Sequence, residues 1–127
     1  MKYLLDTHAA KWALGDITKL SDSVSVVLAD TSIPLCISVA SVWEVAIKTS
    51  IGKLDFVGGS STFLEKLQQF GVVLLPIEAS YVKHVESLPL YHRDPFDRII
   101  VATALVEGMT VVTADENIHK YDVPWIW

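Results

Sequence analysis

Short apolar runs recur along this chain, and a segment of helical spacing or composition follows each. "KYLLD" opens at residue 2, "IPLCISV" at 33, "VVLLPI" at 72 and "MTVVTAD" at 109. Runs this short and this apolar suit strands covered on both faces, as in a parallel sheet. Between them lie "THAAKWAL" reaching Gly15, "SDSVSVVLAD" capped by Ser21 or Asp22, and "SVASVWEVAIKTSIGKL" stopping near Gly52. "SSTFLEKLQQFG" has a Ser start and a Gly stop, "EASYVKHVESLPL" is broken by Pro89, and "DPFDRIIVATALVEG" and "ENIHKYD" complete the helices. "PWIW" reads as an edge strand at the close. Strand alternating with helix predicts a three-layer α/β/α sandwich around a mainly parallel sheet.

At 127 residues, with no linker, repeat or low-complexity run, the chain is expected to form one domain. Its hydrophobic fraction of 51% and mean hydropathy of +0.40 are high. No apolar run approaches the roughly 20 residues of a membrane span, so the surplus is assigned to core, a self-association face or a partner groove. Asp6 interrupts the N-terminal apolar run too early for a secretory signal. Cys36 is the lone cysteine, which excludes an internal disulfide and a cysteine metal cluster. The expected location is the cytoplasm.

The formal net charge is −5. A protein that grips nucleic acid by bulk electrostatics is usually basic. If the substrate is a polyanion, divalent cations are the natural means of offsetting local repulsion. Lys48, Lys53, Arg93 and Arg98 could form a basic rim, and each reads equally well as a solvated surface charge.

In open α/β sheets, ligands bind beyond the carboxyl ends of the strands. Asp6 ends the first expected strand, Asp115 follows the fourth, Asp94 and Asp97 begin the helix leading into the fourth, and Glu44 lies in the helix after the second. Asp6, Asp94 and Asp115 also read as helix caps, most clearly Asp94, which precedes a proline at the first helical position. Asp97 would then only favour the positive end of the helix dipole. Glu44 interrupts an otherwise apolar or small-residue helix, where a lone carboxylate costs several kcal/mol to bury. Carboxylates gathered in one crevice repel one another and need compensating positive charge. Oxygen ligands without cysteine, and histidines without paired zinc spacing, indicate Mg²⁺ or Mn²⁺. Such a centre can activate water against a phosphodiester. His8 and His92 could assist proton transfer or simply pack, and Trp12, Trp43, Trp125 and Trp127 could stack on bases or fill core and partner surfaces.

"LLDTH", "SVWEVAIKTSIGKL", "HRDPFDRIIVATALVEGMTVVTAD" and the closing Trp127 together resemble the PIN domain of VapC-type toxins from type II bacterial toxin–antitoxin pairs. The resemblance covers nearly the whole chain. It implies an α/β/α sandwich, an endoribonuclease dependent on Mg²⁺ or Mn²⁺, a homodimer, RNA as substrate and a small antitoxin as inhibitory partner. Matched residue by residue, it implies Asp6, Glu44 and Asp97 as catalytic metal ligands, with Asp115 as a more variable fourth and Thr113 as a polar residue near the metal. It selects Asp97 over Asp94, because "DRIIVATA" carries the family's helix motif. Competing readings are a nuclease acting on DNA and a non-catalytic α/β binding module whose acids only cap helices. An aspartyl-phosphate phosphatase is disfavoured, because Asp6-Thr7-His8 lacks the second acid of D-x-D.

Overall fold

All five expected runs form strands: β1 (Tyr3–Leu5), β2 (Leu35–Ser38), β3 (Val73–Leu75), β4 (Thr110–Val112) and β5 (Trp125–Ile126). The computed structural model describes residues 2–53 and 56–127. Met1, Leu54 and Asp55 lie outside the described residues, and with them the end of the expected "IGKL" stretch. The strands lie in the order β3-β2-β1-β4-β5, with every pairing parallel.

Period-two alternation divides the strand residues between two cores. Leu4, Cys36 and Val111 face one side with Ile100, Val101 and Ala104. Their neighbours Leu5, Ile37 and Val112 face the other with Ala9, Val24, Val45, Phe63 and Leu67. The second face is covered by α1 (Thr7–Gly15), α2 (Asp22–Ala29), α3 (Val39–Ser50) and α4 (Gly59–Gln69). The first is covered by α6 (Pro95–Glu107) and α7 (Glu116–His119), and α5 (Ala79–Val85) packs on α6. This is the expected α/β/α sandwich. Among the described residues no helix is long and apolar enough to cross a membrane.

Local signals explain most boundaries. The Ser21 side chain, rather than that of Asp22, accepts from Val24 N at 3.2 Å and starts α2. Gly108 ends α6 at φ 67°, a left-handed conformation that glycine adopts without Cβ strain. Two boundaries depart from expectation. Helix α4 starts one residue before Ser60, on Gly58, and α5 stops at Val85, well before Pro89. The second still follows from Pro89, which has no N–H for the Val85 carbonyl four residues back; Leu88 N takes that carbonyl at 3.1 Å, and Arg98 adds bonds to Val85, Leu88 and Pro89.

That contact corrects the basic rim. Arg98 is buried, 8% exposed, and donates from Nη1 to Pro89 O at 2.8 Å and Tyr121 Oη at 2.9 Å. Lys48 pairs with Glu44, while Lys53 and Arg93 are exposed.

Candidate active site

The chain runs β1, β2, β3 outward in one direction and then crosses to β4 and β5 on the other side of β1. The sheet therefore switches direction between β1 and β4, and a crevice is expected at their carboxyl ends. Asp6 follows β1, and Thr113 to Asp115 follow β4. A cleft of about 290 Å³ opens there, lined by Asp6, His8, Trp12, Ala114 and Asp115.

Asp6 is 3% exposed and caps α1, accepting from Ala9 N at 2.8 Å. Burial pushes its carboxyl above the usual range, although hydrogen bonds from Thr113 and Ala9 act the other way. Thr113 is fully buried and links two of the acids, bonding the Asp6 side chain and accepting from Asp115 N at 3.0 Å. Asp115 caps α7 through Asn117 N at 2.8 Å.

Glu44, 8% exposed, is no cap. Its Oε1 accepts from the Thr7 hydroxyl at 2.7 Å, its Oε2 lies 3.4 Å from Lys48 Nζ, and Thr7 also bonds Ser41 at 2.9 Å. Helix α3 is thereby tied to the first turn after β1.

Asp94 and Asp97 separate as clearly. Asp94 accepts from Phe96 N at 2.9 Å and Asp97 N at 3.1 Å, so it is the cap of α6 with Pro95 in the first turn. The Asp97 carboxylate caps nothing. Burial raises its pKa to about 8, with further contributions from Asp94, Asp115, Asp6 and Glu44. Asp97 therefore lies within electrostatic reach of acids from every segment singled out in the sequence. Among the described residues no three His, Cys, Asp or Glu side chains close on a common point as a ready-made cage for an ion.

Sequence reasoning missed Thr7 as the fixing partner of Glu44 and Tyr121 as a partner of His92. Thr7 lies in "LLDTH" beside Asp6, so its position was a usable signal. Tyr121 is 29 positions from His92, and no local pattern points to it.

The chain belongs to the PIN domain family, whose model matches residues 3–124. Similar solved structures include VapBC2 from Rickettsia felis bound to a DNA fragment from its promoter, with TM-score 0.73 and 17% identity over 100% of this chain and 99% of that one. DNA-bound VapBC from Salmonella typhimurium matches with TM-score 0.70 and 17% identity over 99% and 97% of the two chains. A toxin–antitoxin complex from Klebsiella pneumoniae matches with TM-score 0.56 and 18% identity over 90% and 87%. No curated protein sequence gives a significant match.

Proposed function

We propose that the chain is a single PIN domain over residues 1–127, a VapC-type endoribonuclease that hydrolyses RNA phosphodiester bonds with Mg²⁺ or Mn²⁺. The observation that carries this reading is Asp97, a carboxyl pushed up to about 8 by burial and by acids from four separate segments. Buried acids that only capped helices would each have backbone donors, as Asp94 does. Asp97 and Glu44 do not cap helices, which argues against the binding-module alternative.

Asp6, Glu44 and Asp97, with Asp115 in support, are the proposed catalytic metal ligands. The donor set fits a hard cation: all oxygen, no thiol, and excess negative charge in a buried setting. Mg²⁺ retains several waters, so carboxylates that do not form a closed cage suit it. When bound, the cation supplies Lewis-acid activation of water and neutralises charge developing on the phosphodiester. The chain's own residues prepare that chemistry. Thr113 fixes Asp6 relative to Asp115, Thr7 and Lys48 fix Glu44, and Asp97 would hold the cation in place of its proton.

A larger groove of about 510 Å³ shares His8 and Trp12 with the acid cleft and adds the exposed Lys19 and Lys66. It gives a single strand cations for its phosphates and an aromatic side chain beside the acids, in a chain of net charge −5. The apolar groove along α1, α2 and α4, lined by Leu14, Ile17, Leu20, Leu28 and Phe70, suits an apolar segment of a small antitoxin. Exposed Trp43 and Val82, beside Phe96, form an apolar face for a homodimer. The proposed site of action is the cytoplasm.

Carboxylate chemistry does not itself distinguish RNA from DNA; contact with the 2′-hydroxyl does. Matched RNA and DNA strands should therefore be incubated with the wild type and Asp97→Asn in Mg²⁺. The expected result is RNA cleavage that requires both Mg²⁺ and Asp97, and preferential cutting of DNA would overturn the ribonuclease reading.

A further inference from the structure

A line of hydrogen bonds runs from a buried guanidinium to Asp97. Arg98 Nη1 donates to Tyr121 Oη at 2.9 Å, Tyr121 Oη meets His92 Nδ1 at 2.9 Å, and His92 Nε2 meets Asp97 Oδ2 at 3.1 Å. The Arg98 end is itself held, by the carbonyls of Pro89, Val85 and Leu88. His92 and Asp97 are largely buried, at 13% and 17% side-chain exposure, which limits competition from water.

The donor inventory gives the line a direction. Arginine only donates, so Tyr121 accepts from Arg98 and is left with its own proton to give. The neighbouring guanidinium polarises that hydroxyl toward donation. Tyr121 then donates to Nδ1, which makes Nδ1 the acceptor and leaves the ring proton on Nε2, facing Asp97.

We propose that His92 is a positioning residue for Asp97, locked by Tyr121 and Arg98 in the Nε2–H tautomer so that it orients Oδ2 and leaves Oδ1 for the divalent cation. This rests on the metal-nuclease reading of Asp97. The proton-transfer role open to His92 from the sequence is replaced by an orienting one. A carboxylate among like charges has reason to rotate away, and a fixed donor on one oxygen opposes that. Because Arg98 also ties down residues 85–89, the orientation of a cleft acid is set by packing at the α5–α6 junction.

The test combines calorimetric titration of Mn²⁺ with ¹⁵N NMR of the imidazoles, on wild type, His92→Ala, His92→Gln, Tyr121→Phe and Asp97→Asn, with thermal unfolding of each. Loss of an outer partner of a metal ligand typically costs about 10–100-fold in affinity, so that loss is expected for His92→Ala. Gln carries an amide N–H near the place of Nε2 and should restore most of it. In the wild type the NMR should show the Nε2–H tautomer, and Tyr121→Phe should mix the tautomers and weaken Mn²⁺ binding. If Tyr121→Phe fails to fold, the His92 variants and the wild-type tautomer decide the matter. An Nδ1–H ring or an imidazolium would overturn the proposal. So would wild-type Mn²⁺ affinity in His92→Ala alongside lost binding in Asp97→Asn, which would leave the nuclease reading standing. Wild-type affinity in Asp97→Asn would overturn both.

Discussion

Consecutive residues at the start of α6 carry opposite charges into opposite electrostatic settings. Arg98 is buried among acceptors: three backbone carbonyls and the Tyr121 hydroxyl, with its guanidinium 5.9 Å from the tyrosine ring. Asp97 is partly buried near other acids, which add to the desolvation that raises its pKa to about 8. Both are ionisable groups withdrawn from solvent that hydropathy alone would not place. The first is satisfied by neutral groups and closes the α5–α6 junction, so its role is architectural. The second meets His92 and, among the described residues, has repelling neighbours. A charge left in that condition by the fold is relieved only by a proton or a cation, which makes the acid cleft the region where a ligand changes most.

The contrast breaks first at Arg98. Arg98→Met should destabilise the fold by about 1–3 kcal/mol in urea unfolding, because it removes the donors to part-buried carbonyls after α5 and to the Tyr121 hydroxyl. A cost under about 1 kcal/mol would mean the junction does not depend on it.

Asp97→Asn should do the reverse. Metal-dependent cleavage should fall by about a hundredfold or more, beyond the loss typical of an outer partner, while stability at neutral pH is kept or raised. Loss of both activity and stability would show Asp97 to be structural.

The sign of the pH dependence sharpens the same point. A carboxyl near 8 in the folded chain, against about 3.9 unfolded, keeps its proton in the native state across a window where the unfolded chain has lost it. Stability should therefore fall as pH rises from about 4 to about 8 and level off above, with Asp6 acting in the same direction. Asp97→Asn should flatten that slope, and Mn²⁺ should oppose it by binding the folded state. An unchanged slope in Asp97→Asn would remove Asp97 as its source.

The smallest effect belongs to Asp94. Asp94→Ala should cost about 1 kcal/mol as a lost helix cap, and Asp94→Asn close to nothing, since Asn caps as well. Denaturant unfolding of the two would check this.

These differences also mark what the sequence could show. The strands and their alternation with helices were legible, because buried parallel strands are short apolar runs with few polar interruptions. Glu44 stood out in an apolar helix, and Asp94-Pro95 announced a helix start. Residues alone left Asp94 and Asp97 both open; the resemblance to the PIN family chose between them, and in the structure Asp94 caps α6. Arg98 was misread as a rim charge because its acceptors are backbone carbonyls, which any residue supplies and no pattern signals. His92 could not be paired with Tyr121, since that contact exists only once α6 and the segment after α7 are packed together.

The central claim is that Asp97, and not Asp94, serves a divalent cation. Calorimetric titration of Mn²⁺ into the wild type, Asp94→Asn and Asp97→Asn tests it without any nucleic-acid substrate. The account predicts that the wild type and Asp94→Asn bind alike and that Asp97→Asn loses at least about a hundredfold in affinity with its fold intact. No binding by the wild type, or equal binding by Asp97→Asn, would contradict it.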